Sequence, residues 1–138
     1  MTTTSGALYV AAVVVFAFRG ERLLALRRSD RNEAAPGAWE AISGRVDPGE
    51  QPPDTAVREA REETGLEIRL VRRPITSYRS QRNKKDMIVV VYRAEAGPGE
   101  VVLSDEHQAF AWLTLDEFAR TCPFAGLVDA ARQAAYLE

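Results

Sequence analysis

Residues 44–66, from Gly44 to Leu66, read GRVDPGEQPPDTAVREAREETGL. Gly44 to Gly49, with its Asp-Pro-Gly, reads as a turn-rich loop. The periodicity then changes. From Pro52 to Thr64 there is no glycine, Pro53 and Asp54 suit a helical first turn, and Gly65 stands where a left-handed C-cap belongs, so the spacing predicts a helix of about three turns. With Ala56 at zero and about 100° per residue, Ala60, Thr64 and Val57 fall within about 100° of one another, a stripe able to pack on a sheet. Glu62, Glu59 and Glu63 follow at about 240°, 300° and 340°, so three carboxylates share the flank beside that stripe. Like charges three and four residues apart repel, which calls for a positive partner. Arg58 is a local one, through an i,i+4 pair with Glu62. A hard divalent cation accounts for all three, because magnesium takes oxygen ligands, commonly a few carboxylates together with phosphate oxygens. The bland alternative is a solvated acidic face.

Outward from this helix, strands and helices interleave, which predicts an α/β or α+β class. Tyr9 to Phe18 and Arg22 to Arg27 surround a short Gly-containing turn and read as a hairpin. Ser29 to Gly37 is a polar loop, and Trp39 to Ile42 a short strand. Leu66 to Ser80 and Met87 to Ala96 read as strands joined by a polar loop, Gln81 to Asp86, with Ala109 to Leu113 a shorter one. Leu115 to Thr121 and Phe124 to Leu137 read as helices. The 138 residues suit one domain, and 46% hydrophobic with 28% charged residues is the balance of a folded protein. The longest apolar run, Ala7 to Phe18, is too short to span a membrane as a helix, and no basic residue precedes it as in a secretory signal, so the expected location is the cytoplasm. A net charge of −2 gives no positive field for tracking a nucleic acid. Cys122, the single cysteine, reads as a small buried hydrophobe.

The quoted stretch resembles the signature of the Nudix hydrolase superfamily, G-x5-E-x7-R-E-U-x-E-E-x-G-U with U apolar. Gly44, Glu50, Arg58, Glu59, Ala60, Glu62, Glu63, Gly65 and Leu66 fill every specified position. The resemblance implies an α/β/α sandwich around a central mixed sheet and, as activity, hydrolysis of a nucleoside diphosphate linked to another group by attack of water on phosphorus. Phosphoryl transfer asks mainly for positioning and for positive charge where negative charge accumulates, so Mg2+ or Mn2+ is the implied cofactor. Carried over, Glu59, Glu62 and Glu63 are the implied metal ligands, and Arg58 holds them in place, through Glu50. Ser43 and Gly44 resemble the loop that lends a backbone carbonyl to the metal. Ser104-Asp105-Glu106-His107 resembles a later loop that supplies one more acidic group. Glu106 and Glu59 are the two candidates for general base.

Outside the box the reading stays open. His107, the sole histidine, adjoins the same loop as Glu106 and is a candidate to donate a proton or touch phosphate, but the expectation is an exposed histidine without consequence. Seven basic residues lie between Arg69 and Lys85, including Arg72, Arg79 and Arg82, and serve either as phosphate clamps or as charges guarding a sheet edge. Arg27 invites the same two readings, as does Arg28. Trp39 and Tyr78 are candidates for stacking on a base or for filling core. The expected partner is a small nucleotide or other diphosphate, with a homodimer open and no membrane or nucleic acid. Two further readings stand beside hydrolysis. One is an isopentenyl-diphosphate-isomerase type, which uses an early cysteine that this chain lacks. The other is a nucleotide-sensing module, whose usual loss of box carboxylates is absent. Marks for ADP-ribose or diadenosine polyphosphates are missing from Tyr78 to Asn83, so the substrate stays open.

Overall fold

The computed structural model describes residues 6–71 and 73–136. Its elements in chain order are β1 (Val10–Arg19), β2 (Arg22–Arg28), β3 (Trp39–Glu40), β4 (Ile42–Arg45), α1 (Pro52–Thr64), β5 (Ile68–Leu70), β6 (Thr76–Arg82), β7 (Lys85–Ala96), β8 (His107–Leu113), α2 (Leu115–Thr121) and α3 (Ala125–Ala135). β1 is the middle of a mixed sheet. It runs parallel to β7 from Val10 opposite Met87 to Phe18 opposite Glu95, while the other pairings are antiparallel.

Because β1 is Val, Ala and Phe at nearly every position, both of its faces can be buried. Ala12, Val14, Phe16 and Phe18 pack with Phe118, Leu127 and Val128 of α2 and α3, while Val13, Val15 and Ala17 pack with Ala56 and Ala60 of α1. A mixed sheet between α1 on one face and α2 with α3 on the other is the α/β/α sandwich. Helix α1 starts at Pro52 and stops at Thr64, where Gly65 adopts φ 72° and donates its N–H to Arg61 O at 2.9 Å. No helix among the described residues is long and apolar enough to cross a membrane.

Several expected boundaries shift, each for a local reason. Leu66 to Ser80 is two strands rather than one, β5 and β6, with Pro74, which cannot donate to a ladder, between them. Both lie on the same edge of β7, at different heights. The expected loop Gln81 to Asp86 tightens to a two-residue turn, Asn83 and Lys84, at φ 52° and 64°, the left-handed turn that matches strand twist. Trp39 to Ile42 is also two strands: Trp39–Glu40 pairs with β2, then the chain crosses at Ala41 and Ile42–Arg45 pairs with β1. Gly44 and Arg45 therefore belong to a strand, not to the loop. Strand β8 begins at His107 instead of Ala109. The leading residues 1–5, Arg72 of the basic run and Leu137 of the last helix lie outside the described residues.

Candidate active site

The crossing from β3 to β4 leaves a gap between sheet edges, and two cavities meet there. One, of about 260 Å³, is lined by Ser43, Gly44, Glu59, Glu63, Glu106 and His107 among others. The second, of about 290 Å³, lies toward α3 and is walled by Ala12, Val14, Tyr78, Met87, Phe124 and Leu127. Glu40, Ser43, Gly44, Arg45 and Arg82 border both, so a polar chamber opens into one of mixed lining, apolar toward α3 and polar at Gln81, Arg82 and Lys85.

The three glutamates of α1 are not equivalent. Glu63 is on the inner face and 2% exposed. Glu59 is largely buried, and Glu62 points outward without lining either cavity. Gly44 makes room for this arrangement, since a Cβ there would overlap the Glu59 carboxyl carbon. Burial and the adjacent Glu59 carboxylate push Glu63 far above the ordinary carboxylate range, against a long hydrogen bond of 3.4 Å from the Ser43 N–H. Two carboxylates in contact, one of them fully buried, form a donor set of hard oxygens complementary to a divalent cation. Among the described residues no three His, Cys, Asp or Glu side chains are gathered closely enough to hold a metal as they stand, Glu62 being turned toward Arg58.

Arg58 ties the flank together. Its Nε donates to Glu50 Oε2 at 2.8 Å and its Nη2 to Glu50 Oε1 at 2.9 Å, a two-pronged pair. Nη1 donates to Glu59 Oε1 at 2.7 Å and to Glu62 Oε2 at 3.2 Å, while Nη2 also reaches Arg45 O at 3.1 Å. Glu50 accepts from Thr55 Oγ1 at 2.6 Å as well. The Arg58 guanidinium, helped by Thr55, holds the Glu50 carboxyl down to about 2.

Residues 8–133 match the family model of the NUDIX domain. The chain belongs to the NUDIX family. A rat bis(5'-nucleosyl)-tetraphosphatase (asymmetrical) is 40% identical over 93 residues, covering 62% of this chain and 62% of that enzyme. The chain thus matches less than two thirds of that relative's length. Among solved structures, a MutT protein from Methanosarcina mazei superposes with a TM-score of 0.82 at 24% identity, over 94% of this chain and 96% of that one. An Ap4A hydrolase from C. elegans, solved as a binary complex, gives 0.76 at 25% identity over 90% and 93%.

Within this NUDIX fold the remaining candidates separate. Tyr78 lines the second cavity, and burial raises its hydroxyl pKa. Trp39 is half-buried, packs against the core under α2 and α3, and lines neither cavity. Arg27 is also outside both, its Nε donating to Gly37 O at 3.0 Å. Arg79 points away, paired with Asp86 at 3.2 Å. Strand alternation instead brings Arg82 to the border of both cavities, and Arg45 shares that border. His107 is the clear departure from expectation. It is 7% exposed and bonded through Nε2 to Glu40 Oε2 at 2.8 Å. Glu40 and Arg28 join it in a buried group. No alternation in the sequence marks this, because the register shift at Gln108 pairs His107 with Arg28 and Ala109 with Arg27, on opposite faces of the sheet.

Proposed function

We propose that this chain is a metal-dependent pyrophosphohydrolase that cleaves a nucleoside diphosphate linked to another group by attack of water on phosphorus. The observation that carries the reading is the buried Glu63 carboxylate against Glu59, braced by Arg58 and Glu50, in a polar chamber that opens into a second cavity of mixed lining. Glu59 and Glu63, with Glu62 and the backbone at Ser43, would hold Mg2+ or Mn2+. Bound there, such an ion supplies positive charge to the phosphate oxygens and favours loss of a proton from the attacking water. Arg58 keeps Glu59 in place while the phosphates approach. Arg45 and Arg82, at the border, receive the rest of the phosphate chain, and the second cavity, with Tyr78 on its apolar wall, takes the nucleoside. Glu106 is within the same chamber and accepts the water's proton, Glu59 being the other candidate.

The names of the relatives add bis(5'-nucleosyl) tetraphosphates to nucleoside triphosphates, damaged nucleotides and nucleotide sugars as substrates to be tried. An isomerase of the cysteine-dependent type is disfavoured, since no cysteine lines either cavity and Cys122 is buried in the core. A single functional domain, a cytoplasmic setting, action on small nucleotides rather than nucleic acids, and a possible homodimer belong to the same proposal. The test is hydrolysis with Mg2+ or Mn2+ against chelator, in the wild type and in Glu62→Gln and Glu63→Gln. The expected result is no turnover in chelator and a fall of about a hundredfold or more in kcat for Glu63→Gln with the fold intact. Turnover in chelator, or a fully active Glu63→Gln, would remove the reading.

A further inference from the structure

Three ionisable side chains are buried beside the site without belonging to the sequence motif. Arg28, Glu40 and His107 are 7%, 6% and 7% exposed. Glu40 stands between the other two. Its Oε1 accepts from Arg28 Nη1 at 3.0 Å, and its Oε2 pairs with His107 Nε2 at 2.8 Å. A carboxylate only accepts, so Nε2 carries the proton, and Nδ1 is left as a buried atom without a partner. Taking such a group out of water is costly, and an apolar trio of the same volume would serve stability as well or better. Its use is therefore sought in what it positions.

Both ends of the group lead to the site. Glu40, on β3, comes three residues before Ser43, which lines the chamber. His107 directly follows Glu106, whose carbonyl is itself fixed by the Ser29 N–H at 3.0 Å and by Asn32 Nδ2 at 3.3 Å. Between Arg27 and Arg28 the register of β2 with β8 shifts, Arg28 facing His107 and Arg27 facing Ala109. The extra residue, Gln108, seals the bulge through Nε2 to Arg28 O at 2.8 Å and to Asp30 Oδ1 at 2.9 Å. Bulges re-aim side chains. This one turns His107 inward to Glu40 at the point where Glu106 enters the chamber.

We infer that Glu40 and His107, braced by Arg28, are positioning residues that hold the Glu106 carboxylate in the chamber it shares with Glu59 and Glu63. This role rests on the hydrolase reading above. The test measures kcat and KM with Mg2+ on ATP and bis(5'-adenosyl) tetraphosphate for Glu40→Gln, His107→Gln, Glu106→Gln and the two double variants that include Glu106→Gln. Mn2+ affinity in the absence of nucleotide is measured alongside, together with the ring-nitrogen NMR signals of the only histidine. Each single variant at 40 or 107 is expected to lose about tenfold or more in kcat with KM within about twofold, and neither double variant to fall below Glu106→Gln alone. Mn2+ affinity stays unchanged, and the ring is protonated at Nε2 in the wild type and in Glu106→Gln but not held so in Glu40→Gln. Losses that multiply in the double variants would overturn the role, since they mark a general structural effect. A changed KM with kcat intact, or a parallel loss of Mn2+ affinity, would overturn it as well. If Glu40→Gln does not fold, Arg28→Lys replaces it in the same cycle. If the wild type is inert toward both nucleotides, the same cycle is run on the compound it hydrolyses among damaged nucleotides and nucleotide sugars; a wild type inert toward all of them removes this role together with the hydrolase reading, whereas an active wild type with multiplying losses removes this role alone.

Discussion

Replacing Arg58 by lysine keeps the charge and removes the fork. The guanidinium makes five hydrogen bonds, two to Glu50 and one each to Glu59, Glu62 and the Arg45 carbonyl. Lysine has three donors on one nitrogen, so at least two of the five contacts are lost, and the parallel pair with Glu50 cannot be rebuilt. Hydrogen bonds to charged groups contribute about 1.5–3 kcal/mol each when buried. The Arg58 side chain is 26% exposed, so solvent screening brings each lost contact to about 1 kcal/mol and the total to about 2 kcal/mol. For a chain of this size that lowers Tm by roughly 6–8 °C. If half of the cost falls on the placing of Glu59, magnesium affinity drops roughly fivefold. Thermal unfolding with and without Mg2+, and a calorimetric titration of the metal, read both quantities. A Tm within about 2 °C of wild type together with unaltered metal affinity would refute the view that the fork organises the flank.

Three other outcomes are expected. Gly44→Ala places a methyl group where the Glu59 carboxyl lies, so metal affinity measured by calorimetry should fall while the helix content seen by circular dichroism is retained. Glu106→Gln should lower kcat by about tenfold or more with little change in KM and remove the acidic limb of the pH–rate profile, and a variant that keeps that limb moves the base to Glu59. Glu50 is held down to about 2 in the folded chain, so the unfolded chain binds its proton more tightly; the stabilisation is present above the unfolded value, near 4.5, and is lost as pH falls toward 2. Denaturant unfolding between those limits should show a steeper loss of stability in the wild type than in Glu50→Gln.

The helix was legible because its ends are written in rigid residues: prolines at 52 and 53 start it and Gly65 stops it, leaving little freedom for the boundaries. The buried identity of Glu63 was less so. Helical projection placed three glutamates on one flank, but only the packing of β4 against α1 distinguishes the buried Glu63 from the exposed Glu62. Strand boundaries failed where long-range pairing decides them. Nothing local marks the crossing at Ala41, which depends on β3 finding β2 and β4 finding β1. Arg79 and Arg82 look alike in the sequence, and their separation comes from register with β7 and from the pairing of Arg79 with Asp86. For the same reason the Arg28, Glu40 and His107 group was invisible: its members are 12 and 67 residues apart along the chain and meet only when β2, β3 and β8 do. A lone histidine in a polar stretch is ordinarily solvated, and here a bulge turned it inward.

The most direct measurement is a substrate panel in 18O-labelled water with Mg2+, covering nucleoside triphosphates, bis(5'-nucleosyl) polyphosphates, nucleotide sugars and non-nucleotide diphosphates. The account predicts that at least one nucleoside diphosphate derivative is hydrolysed, that a phosphate-bearing product carries the label, and that labelling stops on removal of the metal and in Glu63→Gln. Absence of labelled product from every compound, or labelling that persists without metal, would contradict it.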